Sequence, residues 1–282
     1  MQIQWYPGHM TKARRAMQED MKLIDLCIEL LDARAPLSSR NPDIDTLARG
    51  KYRLVILNKA DLADEAVNRS WKAWFEDRHI PCLAIDARSK GAVKAIQTAV
   101  MDTCSEKLER DRKRGILNRP VRAMVAGIPN VGKSTFINSL SGKAAAKTGN
   151  KPGVTKGNQW IRLNKQIELL DTPGILWPKF DDETVGTHLA FIGSVNDMIV
   201  NREELASELL VVLKDNYPEA LSARYEGLEL MDNGSLMLEQ IARIRSCLKK
   251  GGEADTDRAS GLIIDDFRSG RLGRISLEKP EK

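Results

Sequence analysis

The sequence predicts a doubly wound, mostly parallel α/β sheet over residues 1–178, followed by an all-helical domain over 179–282. Three observations carry this. Short apolar runs alternate with helix-like stretches, the pattern of βαβ units. A glycine-rich turn at 127–134 joins one apolar run to the start of a helix. Beyond about residue 180 the apolar period becomes purely helical. A length of 282 residues fits two domains of about 150 residues each.

In chain order, His9–Met21 reads as a helix and Leu23–Leu31 as a buried strand. Arg53–Leu57 is the next strand, followed by a helical stretch at Ala63–Arg78 and a strand at Cys82–Ile85. Val93–Arg114 reads as one helix, Val121–Ala126 as a strand, Lys133–Ser141 as a helix and Ile167–Leu170 as a strand. Then Leu205, Leu209, Leu210 and Leu213 repeat at helical spacing before Tyr217-Pro218. Met237, Ile241, Ile244 and Leu248 form a second apolar stripe, which Gly251-Gly252 stops. Leu262, Ile263 and Phe267 mark a further helix. No run approaches the ~18 uninterrupted apolar residues of a membrane span, and Met1–Arg15 lacks the apolar core of a leader, so the cytoplasm is the expected compartment. Cys27, Cys82, Cys104 and Cys247 are far apart, with neither zinc-ribbon nor Cys-x-x-Cys spacing; Cys27 and Cys82 lie in apolar runs and read as small buried hydrophobes.

The net charge of +5 hides an asymmetry. Residues 181–239 hold 13 acids against 3 bases, a net of −10, so the rest of the chain carries +15. Lys107–Arg122 has seven bases against two acids, and Lys143–Lys165 has six bases and no acid. Such a distribution points to a polyanionic partner for the basic portion.

Gly127-Ile128-Pro129-Asn130-Val131-Gly132-Lys133-Ser134 is a full G-x-x-x-x-G-K-[ST] phosphate loop between a strand and a helix, and Thr135 continues it. Its backbone N–H groups and the helix N-terminus suit phosphate oxygens. Lys133 would reach the β- and γ-phosphates, and Ser134 would ligate Mg²⁺. Asn58-Lys59-Ala60-Asp61 closes another strand, at the sheet edge where ligands bind. A carboxylate there accepts from both N1–H and the 2-amino group of guanine, a donor pair adenine lacks. Asp171-Thr172-Pro173-Gly174 follows a third strand; Asp171 is placed to hold Mg²⁺ and Gly174 to sense the γ-phosphate. Between them Thr155, in Pro152-Gly153-Val154-Thr155, is a natural switch residue that ligates Mg²⁺ only with triphosphate.

The order of these parts differs from that of a Ras-like GTPase. Asn58–Asp61 and the base-backing triplet Asp86-Ala87-Arg88 precede the phosphate loop, which is a circular permutation joined through the basic stretch Arg110–Arg122. One consequence is that the second switch leads straight into the helical domain.

With Trp5-Tyr6-Pro7-Gly8-His9-Met10, Asp32-Ala33-Arg34, Ser39-Arg40-Asn41-Pro42, the nucleotide motifs, Gly174-Ile175-Leu176-Trp177-Pro178 and Arg271-Leu272-Gly273-Arg274-Ile275, the chain resembles the circularly permuted GTPases of large-subunit ribosome assembly, of the bacterial RbgA/YlqF type. The resemblance spans essentially the whole chain. It departs at Asp86, where many GTPases carry Ser. It implies a P-loop GTPase, weak alone and stimulated by the ribosomal particle, that binds a late 50S precursor with GTP and leaves after hydrolysis. The alternative is an RNA-binding assembly scaffold with GTP as a structural ligand. Ile175 stands where Ras-like enzymes carry a water-orienting Gln and cannot hydrogen-bond water. The resemblance implies that His9 reaches the γ-phosphate region instead, and that Asn130 holds a K⁺ beside the phosphates; Arg88 or Arg34 acting in cis are alternatives to that cation. Expected partners are the precursor, its 23S-type rRNA and ribosomal proteins. Trp5 and Tyr6 with Lys12, Arg14 and Arg15 combine stacking rings with cations, and Arg243, Arg245, Lys249, Lys250, Arg271 and Arg274 offer a second RNA surface.

Overall fold

In the computed structural model the protein is described at residues 18–142, 159–171, 182–197 and 200–281. A six-stranded sheet forms the first layer of the architecture, in the order β3-β2-β1-β4-β6-β5. The strands are β1 (Leu26–Asp32), β2 (Tyr52–Asn58), β3 (Cys82–Ile85), β4 (Val121–Ala126), β5 (Gln159–Arg162) and β6 (Ile167–Asp171). β1, β2, β3, β4 and β6 run parallel, and β5 pairs antiparallel with β6 at the edge. All seven residues of β1 are buried, as expected of a central parallel strand covered on both faces.

The helices are α1 (Ile44–Leu47), α2 (Glu65–Glu76), α3 (Ala92–Thr103), α4 (Ser105–Lys113), α5 (Lys133–Ser141), α6 (Glu183–Phe191), α7 (Arg202–Asn216), α8 (Pro218–Arg224), α9 (Gly234–Ile244) and α10 (Thr256–Arg268). Leu31, Val55 and Leu57 turn to one face and pack on Trp71 and Phe75 of α2. Leu26, Ile28 and Leu30 turn to the other, in one apolar cluster with Ile96 and Val100 of α3 and Phe136 of α5. That cluster continues without a gap into Leu209 and Leu213 of α7, Met237 and Ile241 of α9, and Ile263 of α10. None of the described helices is long and apolar enough to cross a membrane.

Three differences from the expected elements have physical reasons. The stretch expected as one helix over 93–114 is two, broken at Cys104. Its first part buries Ile96 and Val100, whereas the second buries only Lys107 and Asp111, so the apolar stripe ends where the first helix does. Lys107 is there because it pairs with Asp25 at 3.3 Å and Asp111 at 3.1 Å, fixing the permuting connection to the entrance of β1. The first strand begins at Leu26 rather than Leu23, and Leu23 is exposed. β5 lies inside the basic stretch 143–165 and was not anticipated; only Ile161 of it joins the core. The four cysteines are buried and free. Burial pushes the Cys82 and Cys104 thiols up to about 12 and Cys27 higher still, so none of these three is a reactive thiolate.

Candidate functional site

Because β2, β3, β4 and β6 are parallel, their C-terminal ends share one edge of the sheet. There the chain places Asn58–Asp61, Asp86–Arg88, the loop 127–132 and Asp171, gathering motifs more than 100 residues apart. The loop opens α5 with Gly132 as its N-cap at φ +93°. A Cβ on Gly132 would lie 2.5 Å from Asn58 Nδ2, so glycine is needed for both conformation and space. Lys133, Ser134 and Thr135 form the first turn of that helix, where unsatisfied N–H groups and the helix dipole favour an anion.

Asn58 ties the two halves together. Its Nδ2 donates to Val131 O (2.7 Å) and its Oδ1 accepts from the Ala87 N–H (3.1 Å), joining the phosphate loop to the base-backing triplet. Lys59 adopts a left-handed conformation at φ 59° and donates to Asn130 O (2.7 Å) and Asp32 Oδ2 (2.9 Å). Asp32 also holds Arg34 through both oxygens, at 2.9 and 2.8 Å. Burial alone would raise the Asp32 carboxyl, but Arg34 and Lys59 hold it well below the usual carboxylate range. Asp61 and Ala60 form the short turn after Lys59. Asp61 Oδ2 accepts from Arg88 (2.9 Å), while its Oδ1 is buried without a hydrogen-bond partner. Arg88 is itself fixed by Asp86 Oδ1 at 2.9 Å, so Asp86, in a position expected to carry Ser, serves to orient Arg88.

At the phosphate end, Lys133 is buried and its ammonium is brought down to about 8 by desolvation, partly opposed by Asp171. Burial pushes the Asp171 carboxyl up despite Lys133, and its Oδ1 is buried with no hydrogen-bond partner. Two carboxylate oxygens in one site thus lack donors. One lies on the turn that follows β2 and the other at the end of β6, in the field of Lys133. Buried polar groups are seldom left so in native proteins, and ligands are a usual reason. The donor set therefore fits guanine at Asp61 and a hard divalent cation, Mg²⁺, at Asp171. Asn130, at φ 63°, donates from its amide to Gly193 O, a residue just beyond α6.

Neither arginine considered as an internal substitute for K⁺ faces the phosphate loop: Arg34 is buried against Asp32, and Arg88 serves the base end. His9, Thr155, Gly174 and Ile175 lie outside the described residues, as do Trp5, Tyr6, Lys12, Arg14 and Arg15. Of the C-terminal bases, Arg271 pairs with Asp266 and Arg274 with Glu65, while Arg245, Lys249 and Lys250 are exposed. The roles of Asp32 and Gly193 were not anticipated. Asp32 stood in a motif with no role attached, and nothing in the sequence couples Gly193 to Asn130.

The family described as 50S ribosome-binding GTPase matches residues 122–236. "Ribosome biogenesis GTPase A" of Bacillus licheniformis is 47% identical over 281 residues, covering 100% of this chain and 99% of its own. The chain belongs to the ribosome biogenesis GTPase A family. Its member from Thermotoga maritima is 33% identical over 99% of this chain and 95% of its own. A GDP-bound YlqF structure superposes with a TM-score of 0.70 at 28% identity, covering 95% of this chain and all of that one. A GNP-bound YlqF from T. maritima gives 0.67. This ribosome biogenesis GTPase is thus a P-loop enzyme with a circularly permuted nucleotide domain, and its reaction is hydrolysis of GTP to GDP and phosphate.

Proposed function

We propose that this GTPase acts at a late step of 50S assembly in the cytoplasm, binding the precursor with GTP and leaving after hydrolysis. Residues 1–178 house the nucleotide and 179–282 meet the particle. The observation that carries the nucleotide part is the pair of buried, partnerless carboxylate oxygens, Asp61 Oδ1 and Asp171 Oδ1, after β2 and at the end of β6 along one edge of the sheet. The names of the full-length relatives support the ribosomal partner.

In this reading Asp61 takes N1–H and the 2-amino group of guanine, with Asn58, Lys59, Ala60, Asp86, Ala87 and Arg88 forming the base pocket. Backbone N–H groups from Asn130 to Thr135 surround the phosphates, and Lys133 neutralises charge that develops between the β- and γ-phosphoryl groups. Ser134 and Thr155 hold Mg²⁺ with Asp171, and Gly174 contacts the γ-phosphate. Mg²⁺ supplies charge neutralisation at the β- and γ-oxygens. His9 orients the attacking water, and Asn130 Oδ1 contributes to a K⁺ site beside the phosphates. Contacts to 23S-type rRNA come from the N-terminal Trp5, Tyr6, Lys12, Arg14 and Arg15, and from the exposed Arg243, Arg245, Lys249 and Lys250.

The test is GTP turnover with and without precursor 50S particles. Stimulation by orders of magnitude is expected, greater in KCl than in NaCl, and lost in His9→Ala with GTP affinity retained. Turnover that ignores the particle would leave GTP as a structural ligand of an assembly scaffold. Equal rates in the two salts would remove K⁺, and full stimulation of His9→Ala would remove His9.

A further inference from the structure

After α10 the chain turns back toward the nucleotide domain. Residues 270–278 cross the start of α2 and end beside the loop that follows β1. Two buried side chains, Leu272 and Ile275, anchor this strap. Its polar contacts converge on one place. The Ile275 N–H donates to Leu62 O at 2.9 Å, and Ser276 Oγ accepts from the Asp64 N–H at 3.1 Å. Gly270, at φ +77°, lies so close that a Cβ there would approach Leu62 Cδ2 to 2.6 Å. Leu62 ends the short turn that presents Asp61.

The strap grips the same turn from its other end. The Leu277 N–H donates to Arg34 O at 2.7 Å. Arg34 is locked to Asp32, and Asp32 holds the ammonium of Lys59, the residue at which the turn begins. Below this point the Glu278 carboxylate accepts from the backbone N–H groups of Leu37 and Ser38. The carboxylate offered to guanine thus sits on a turn of three residues held by the strap directly at Leu62 and, at Lys59, through the relay of Asp32 and Arg34.

We infer that the strap at 270–278 is a positioning element for guanine recognition, holding the Asp61 turn in its base-accepting geometry. Ser276 and Gly270 act through Leu62 and Asp64, and neither touches the nucleotide. The inference rests on the reading that Asp61 takes guanine, and it assigns to the C-terminal region a part in base selection as well as in particle binding. By linkage, anything that pulls on the strap from the helical side changes guanine affinity, and nucleotide binding changes the grip of the strap by the same factor.

The test uses the full-length protein and two variants, Ser276→Ala and Gly270→Ala. Binding of GDP and of inosine diphosphate, which lacks the 2-amino group, is measured by calorimetry beside the melting temperature of the nucleotide-free protein. A displaced Asp61 loses two hydrogen bonds to guanine but only one to hypoxanthine. The expected result is a preference for GDP over the inosine nucleotide narrowed about fivefold, the worth of one ordinary hydrogen bond, with melting of Ser276→Ala unchanged. Gly270→Ala, which pushes on Leu62 directly, narrows it further. A preference equal to the parent's in both variants overturns the inference, whether or not either melts earlier. Asp61→Asn separates the two claims: if that variant keeps its GDP affinity, the base-site reading itself fails. If it loses GDP while the strap variants keep their preference, only the strap's role falls.

Discussion

Lys133 shows how a motif residue and its surroundings divide the chemistry. A buried ammonium whose pKa is about 8 is mostly charged at pH 7 and mostly neutral by pH 9. Phosphate oxygens favour the charged form, so binding of GTP above pH 8 must be accompanied by proton uptake. GTP affinity should therefore fall about tenfold per pH unit above pH 8, until the pKa of the bound state is reached. Calorimetry in buffers of different ionisation enthalpy would check this, and an affinity flat from pH 7 to 9.5 would refute it. Lys133, Asn58, Asp61 and Asp171, which the structure brings to one sheet edge, were all readable in the sequence as candidates, because motifs for phosphate, guanine and Mg²⁺ each set a residue type at a fixed spacing. Asp86 was readable only as a departure. That it turns Arg88 onto Asp61 is a fact of side-chain geometry and leaves no spacing to find.

At the scale of elements, legibility followed how much apolar surface each piece had to bury. The stripes of α7 and α10 became buried faces, whereas of the α9 stripe Met237 and Ile241 are buried but Ile244 and Leu248 are exposed, the helix ending at Ile244 rather than at Gly251-Gly252. β5 has four residues, and the Trp160 beside its one core residue is exposed, with the Arg122 guanidinium 5.2 Å from the ring centroid. So short an edge strand leaves almost no alternation to detect. The same reasoning predicts which helix matters most to the C-terminal region. Leu209 is fully buried in α7, which packs against α9 and α10. Leu209→Ala should cost about 2–5 kcal/mol, measured by denaturant unfolding. Asn201→Ala removes the cap that accepts from the Glu203 and Glu204 N–H groups and should cost about 1 kcal/mol. A smaller loss at Leu209 than at Asn201 would mean that packing does not hold the helices together.

For the whole molecule, the permutation changes the order of the chain and leaves the gathering of the motifs intact, because parallel strands deliver their C-terminal ends to one edge whatever their sequence order. The sheet and the helical region share one apolar cluster, and Asn130 reaches Gly193 across their boundary. Despite two functional regions, unfolding should therefore be a single cooperative transition, with tryptophan fluorescence and circular dichroism coincident. GDP at 100 times its dissociation constant should stabilise that one transition by about 2.7 kcal/mol. Two transitions, only one of which moves with GDP, would contradict it. The fold class was legible because alternating strands and helices admit few arrangements. The union of the two regions was not, since the contacts that make it are between residues 60 to 240 positions apart.

The strap has a consequence for how the protein is made. A nascent chain that has just completed residues 58–61 and 127–134 already holds the residues for base and phosphate, yet residues 270–278 are still to be translated. Until they emerge, the turn bearing Asp61 lacks the strap's contacts, and on the inference above the preference for guanine sharpens only once residues 270–278 have been made.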